Sequence, residues 1–252
     1  MPAVVDIPAP LFAVVALAFA AEALTGFGGT VITVTLGAQL LPLDTLLPLY
    51  VPVNLLLSVW ITLRDRSYVA RPLLLRTMLP LIGAGMAAGL VIYRLAPPGP
   101  WLILGYALLV AVLAGLELVR GPGGAQLSLR AQRAGLVGGG LVHGIYGSGG
   151  PLIVWATSRQ LQDKSALRAT LSALWLVLGS VLVVQYASLG QLTGQTLLGS
   201  AALLPCLLVG KWIGNRAHQR IAPEPFRRLL YWMLLFAALS LLVRKALHAF
   251  SP

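Results

Sequence analysis

The chain has 252 residues, of which 58% are hydrophobic and only 10% charged, against roughly 45–50% and about 25% in soluble domains. So little charge cannot coat a water-exposed surface, which excludes the soluble globular and disordered classes. The formal charge of +11, from 18 Lys and Arg against 7 Asp and Glu, would suggest nucleic acid in a soluble protein. In a membrane chain it is the positive-inside bias, and no nucleic-acid partner is expected.

In chain order, apolar blocks cover residues 9–24, 30–41, 46–63, 72–93, 101–119, 134–146, 151–157, 167–187, 192–213 and 229–243. Asp6 and the lack of a basic residue before the first block argue against a secretory signal, so the first helix is expected in the mature protein. A spanning helix needs about 20 residues at 1.5 Å each. Blocks 30–41, 134–146 and 151–157 fall short of that and are predicted to be half-helices. The lone Cys206 cannot form an intrachain disulfide.

The short blocks flank two glycine clusters, TGFGGT at 25–30 and YGSGGP at 146–151. Gly26, Gly28 and Gly29 align with Gly147, Gly149 and Gly150 at an offset of 121 residues, close to half the chain, which marks an internal repeat. The predicted fold is all-α, a polytopic transmembrane bundle of two inverted repeats. Each repeat is a broken (half-helix) hairpin at its glycine cluster followed by three full spans. Residues 1–121 form the first repeat, 122–132 a cytoplasmic linker and 133–252 the second repeat. If each cluster turns the chain back, only Arg94, Arg244 and Lys245 of the 18 basic residues fall outside. That bias has the expected sign and puts both termini on the outer side.

Two inverted repeats with interrupted helices are how transporters build a central site. Where a helix restarts after a glycine turn, its first N–H groups lack intrahelical partners and the dipole is positive. Gly28, Gly29 and Thr30 form one such restart, and Gly149, Gly150 and Pro151 the other. Glycine lets a ligand approach the backbone, and Pro151 fits a first helical turn. Opposed restarts at mid-depth make an electropositive site for a small anion. Close helix packing is the alternative use of such glycines. Ser148, beside the second cluster, is a neutral donor to the same site.

The offset also pairs Glu22 with His143, each four residues before its cluster's first glycine. Ionisable groups inside apolar segments are functional candidates, and this pair could couple a proton to transport. Arg168 opens a long apolar span, where it could draw an oxyanion to the cytoplasmic entrance or simply snorkel to the interface. Trp60, Trp101, Trp155, Trp175, Trp212 and Trp232 are read as interfacial anchors.

At these residues the sequence resembles the sulfite exporter TauE/SafE family of permeases. The matching stretches are GFGGT at 26–30, LPLDTLLPLYVPVNLLLSVWITLRDR at 41–66 and PLIGAGMAAGL at 80–90. The most specific is GIYGSGGPLIVWATSRQLQDKSALRATLSALW at 144–175. The resemblance implies a secondary transporter, a probable exporter, of sulfite, a sulfonate or another organic anion in the bacterial inner membrane. By motif it implies anion contacts at Gly28, Gly29, Thr30, Gly149, Gly150, Pro151 and Arg168. One departure is GFGGT, where many relatives carry a further glycine and this chain has the hydroxyl of Thr30.

Two other functions remain open from sequence. A passive anion channel would share the electropositive site without coupling to H⁺ or Na⁺. An intramembrane serine hydrolase could use Ser148 with His143 or His218, although YGSG departs from GxSxG and no HExxH motif is present. No metal cluster, nucleotide loop or cofactor motif is found in the sequence, and none of these groups is expected; nor is enzymatic activity. Small-residue faces at Gly83, Gly85 and Gly89 permit either packing within the protomer or pairing into a homodimer.

Overall fold

The computed structural model describes residues 6–95, 100–120, 127–158, 160, 161 and 163–220, with scattered positions between 222 and 243. Among the described residues every regular element is a helix. Residues 122–126 of the link, Arg159, Arg227, Arg244, Lys245 and both termini lie outside them.

The first half begins with α1 (Ala9–Thr25), then α2 (Gly29–Ile32), which runs on through a π-turn over Thr33–Gly37. Next is α3 (Leu43–Arg64), 22 residues and about 33 Å long at 1.5 Å per residue. Pro48 and Pro52 lie inside α3, as membrane helices tolerate when neighbours satisfy the freed carbonyls. After a 3₁₀ turn at Arg66–Tyr68 come α4 (Arg71–Leu73), a π-turn at Leu74–Met78 and α5 (Leu79–Leu95). Pro80 explains that π-turn: it has no N–H for the carbonyl of Arg76, so the ladder shifts by one residue just before it. α6 covers Pro100–Arg120.

The second half opens with α7 (Leu129–Tyr146), capped by Ser128, whose side chain accepts from the Ala131 N–H at 3.2 Å. α7 is longer than the expected half-helix 134–146 because Arg130, Gln132 and Arg133 conceal its first turns in a hydropathy reading, and it starts inside the expected link. α8 (Gly150–Thr157) is short as expected. α9 (Lys164–Ser188) starts at an Asp163 cap, and α10 (Gly194–Ala202) at a Thr193 cap. Pro205 interrupts the expected 192–213 span, so α11 (Leu204–Arg220) is a separate helix.

Four helical stretches among the described residues are long and apolar enough to cross a bilayer: Leu43–Arg64, Arg71–Leu95, Lys164–Ser188 and Gly194–Arg220. Leu56, Val91, Val184, Leu198 and Val209 lie on exposed faces, as lipid-facing residues do.

Three interhelical contacts dominate: α3 with α9, α5 with α7, and α1 with α11. The last two are glycine contacts. A Cβ on Gly144 would lie 2.5 Å from the Met86 carbonyl oxygen, and one on Gly85 2.9 Å from the Leu141 nitrogen. A Cβ on Gly210 would lie 2.6 Å from the Ala16 oxygen. Gly85 and Gly89 are therefore taken up inside the protomer by α7, whereas Gly83 faces open space.

Candidate functional site

Each glycine cluster ends one helix and starts another. Gly26 (φ 80°) and Gly147 (φ 64°) cap α1 and α7 in the left-handed region, and Gly28 follows with φ 92°. The Gly26 N–H donates to the Glu22 carbonyl and the Gly147 N–H to the His143 carbonyl, both at 2.7 Å. A side chain would strain these conformations, so glycine here is a backbone requirement. α2 then packs back on α1, and α8 on α7.

The starts of α2 and α8 border one cavity, which offers about 30 Å³ to the centre of a water molecule. About 10–15 Å³ on that measure admits one water, so the space suits a small solute. Its lining includes Glu22, Gly28, Thr30, Asn54, His143, Ser148, Gly150 and Trp175. No side chain caps either helix start. Asn54 lies at the middle of α3, which places the cavity halfway along a spanning helix.

His143 is 5% exposed. Its Nδ1 accepts the Gly149 N–H at 3.4 Å, so in the neutral ring the proton sits on Nε2, which has no hydrogen-bond partner. The ring stacks on Trp175 with centroids 5.4 Å apart, and the Trp175 Nε1–H donates to the Gly26 carbonyl at 2.6 Å. Trp175 is thus a buried wall of the cavity that ties one glycine turn to α9, a correction to its reading as an interfacial anchor. Trp60 lies beneath Arg64 and Lys211, and Trp212 beneath Arg216, at 4.8–5.0 Å. Opposite His143, the Glu22 carboxyl is hydrogen-bonded to Asn54 and Tyr50.

The predicted site residues divide into two groups. Gly28, Thr30, Ser148, Gly150, Glu22 and His143 line the cavity together. Gly29, Gly149, Pro151 and Arg168 are not in its lining. A Cβ on Gly29 would meet the Glu22 carboxylate and lie 2.7 Å from the Tyr50 hydroxyl, and one on Gly149 would lie 3.0 Å from the His143 Cβ. Neither position has room for a side chain. Pro151 faces Leu109, Val110 and Val142 on another side of α8.

Arg168 is held elsewhere. Its guanidinium is ion-paired with Asp65 and donates to the Ala23 carbonyl at 2.9 Å and to Asn215 Oδ1 at 3.5 Å. Its side chain is 4% exposed. Sequence reasoning missed Asp65, Tyr50 and Trp175; Asn54, a polar group midway along an apolar span, was the one further signal available.

The chain matches the sulfite exporter TauE/SafE family profile over residues 11–241. It is 28% identical over 109 residues to the "Probable inner membrane transporter protein TsaS" of Comamonas testosteroni, covering 43% of this chain and 45% of that protein. The matched stretch thus spans less than half the length of that relative. No solved structure matches the chain. With the profile covering nearly all of its length, the protein belongs to the sulfite exporter TauE/SafE family of membrane transporters.

Proposed function

We propose that the protein is a secondary transporter, an exporter, of a small sulfur-containing or organic anion, with sulfite the first candidate, working in the inner membrane by alternating access around the central cavity. The observation that carries this is the cavity itself: two uncapped helix starts and the unpartnered His143 Nε2–H converge halfway along a spanning helix. Donors and positive dipole ends gathered at mid-depth are what an oxyanion requires. Thr30 and Ser148 add hydroxyls, and the small volume favours a compact anion over a bulky one.

We read the two halves as inverted repeats, each opening on a broken hairpin. Supporting this, the offset of 121 carries α1 onto α7, α3 onto α9 and α5 onto α11. α5 packs on α7 while α11 packs on α1, the exchanged pairing that a two-fold axis requires, and Gly89 and Gly210 fall at equivalent positions in it. The distribution of basic residues puts both termini on the outer side.

Glu22 is the candidate coupling group, with H⁺ the ion it would carry. A carboxylate and an anion repel each other in so small a space, so the anion binds while Glu22 is neutral. A passive channel of the same fold would show no such linkage. Against the hydrolase alternative, His143 Nδ1 accepts from a backbone N–H instead of donating to a carboxylate and Nε2 has no bond to Ser148, while His218 is engaged with the Leu24 carbonyl and Ser165.

The test is binding of sulfite, sulfate, taurine, sulfoacetate and acetate to the purified protein, with His143→Phe, Gly150→Leu and Glu22→Gln variants. One sulfur oxyanion should bind, and His143→Phe, which keeps a ring against Trp175 but removes the donor, should weaken it about tenfold or more. Gly150→Leu should abolish binding by filling the cavity. Glu22→Gln should remove whatever part of the pH dependence exceeds the substrate's own ionisation. Binding of no anion, or binding untouched by both His143→Phe and Gly150→Leu, would overturn the proposal.

A further inference from the structure

Membrane helices usually satisfy their hydroxyls on the carbonyl one turn back, and this chain does so repeatedly. Thr25 donates to Ala21, Thr35 to Val31, Thr157 to Ile153, Ser180 to Leu176 and Ser200 to Thr196, at 2.7–3.0 Å. Ser58, Thr62 and Ser172 depart from the pattern: their hydroxyl oxygens are buried with no hydrogen-bond partner, as is Nε of Arg168. Ser58 and Ser172 are each 1% exposed. An unpaired buried polar group costs about 1–3 kcal/mol and calls for an explanation.

All four lie on the contact between α3 and α9. Two points fix the register of that pair. Asp65, just past the end of α3, meets Arg168 near the start of α9. A Cβ on Gly179 would lie 3.2 Å from Leu55. The helices are therefore antiparallel, with Ser172 level with Ile61 and Thr62 and one turn from Ser58. On α3, positions 54, 58, 62 and 65 recur at helical spacing on one face. The strip starts at Asn54 in the cavity lining and ends at the Arg168–Asp65 pair, about 16 Å away along the helix. That is half of a hydrocarbon core of about 30 Å. At the far end stand Arg64, Arg66, Lys164 and Arg216, the basic face of the molecule.

We infer that the α3–α9 seam is the passage between the central cavity and the basic face, and that the Arg168–Asp65 pair is the gate that closes it. This deepens the transporter proposal by naming the route to its cavity. Ser58, Thr62 and Ser172 are the polar lining of that route, packed shut in this conformation, so their hydroxyls find partners only when the seam parts. The gate also answers to the solute. Arg168 keeps one N–H, on Nε, without a partner, so an oxyanion meets a donor before the pair has separated and can then take the place of the Asp65 carboxylate on the guanidinium.

Thiol accessibility tests this in a Cys206→Ser background, which removes the native cysteine. Ser58→Cys and Ser172→Cys should react slowly with an anionic methanethiosulfonate applied to the protein in nanodiscs. Adding Asp65→Asn should raise both rates about tenfold or more as the open population grows. Val181→Cys, on the exposed face of α9, should not respond. If neither seam position reacts, or Asp65→Asn changes neither rate, the passage is elsewhere.

A second arm uses Asp65→Cys with Arg168→Cys, which removes both charges and leaves no buried ion unpaired. The readout is sulfite movement in proteoliposomes by this one variant before and after reduction: the cross-linked form should be several-fold slower than the reduced form, and equal rates would overturn the gate. Thiol reactivity needs no substrate. Unresponsive seam cysteines with intact sulfite binding would reject the gate alone, and gated reactivity without binding of any anion would reject the substrate assignment alone.

Discussion

Gly26 and Gly147 cap their helices with the same left-handed geometry and the same 2.7 Å bond to a carbonyl four residues back, yet their surroundings differ. The last carbonyls of α1 are taken by side chains from the second half: Ala23 by Arg168 at 2.9 Å, Leu24 by His218 Nδ1–H at 2.8 Å and Gly26 by Trp175 at 2.6 Å. A Cβ on Gly26 would lie 2.7 Å from the Arg168 backbone. Around Gly147 the nearest atoms to such a Cβ are side-chain methyls of Leu182, Leu47 and Thr30, at 3.4–3.9 Å. Helix C-termini leave carbonyls without partners and attract cations, and here α9 and α11 supply both needs at one turn. The first turn is clamped to the other half of the molecule and forms the fixed wall of the cavity, while the second has room around it.

The Arg168–Asp65 ion pair is asymmetric as well. At the offset of 121, Leu47 stands where Arg168 does and Tyr186 where Asp65 does, so one half has no equivalent of the ion pair. The ion pair thus has no counterpart across the repeat.

The comparison is open to attack by substitution, with thermal unfolding of the purified protein as the readout for stability. The largest effect is expected from Arg168→Ala, which leaves Asp65 without its partner and frees the Ala23 carbonyl; about 3–5 kcal/mol should be lost. Arg168→Lys should recover little, since one ammonium cannot reach Asp65, Ala23 and Asn215 with the geometry of a planar fork. Next comes Gly26→Ala, which combines the left-handed penalty of about 1–2 kcal/mol with a backbone clash. Gly147→Ala should lose only the first of these. Equal losses at Gly26 and Gly147 would refute the contrast between clamped and open turns.

Trp175→Phe keeps the ring beside His143 and removes one hydrogen bond, for an expected loss of about 1 kcal/mol. The smallest change in stability belongs to Gly150→Ala, whose methyl would lie 3.8–3.9 Å from Phe27 and Trp175. Unfolding should scarcely shift, yet the methyl enters the cavity and should weaken anion binding about tenfold or more. A stability loss without a change in binding would place Gly150 in the packing and take it out of the site.

Much of this was legible before any contact was known. A charge fraction of 10% in long apolar blocks forces a membrane bundle, because a hydrocarbon solvent demands helices whose backbone bonds close internally. The glycine turns were legible because left-handed φ is a local requirement that few residues meet. Glu22 and His143 were legible because an ionisable group stands out in an apolar run, and both reach the cavity. The π-turn before Pro80 and the start of α7 at Leu129 were less so, since polar first turns dilute hydropathy.

What the sequence determined by itself is therefore whatever depends on composition, periodicity and single-residue conformation: helices, their breaks, and the unusual groups beside the breaks. The tertiary structure alone decided which faces meet. It sent Arg168 away from the cavity to Asp65, 103 residues distant in the chain, and brought Trp175 in from its expected place at the interface. It also set Gly29 against Glu22 and Tyr50, and Gly149 against Gly139 and His143. The physical reason is the solvent. In water a helix announces its buried side by an apolar stripe, but in lipid both sides are apolar, and helix association rests on close fit and scattered polar contacts. Those contacts lie between residues far apart in the chain, where periodicity carries no signal.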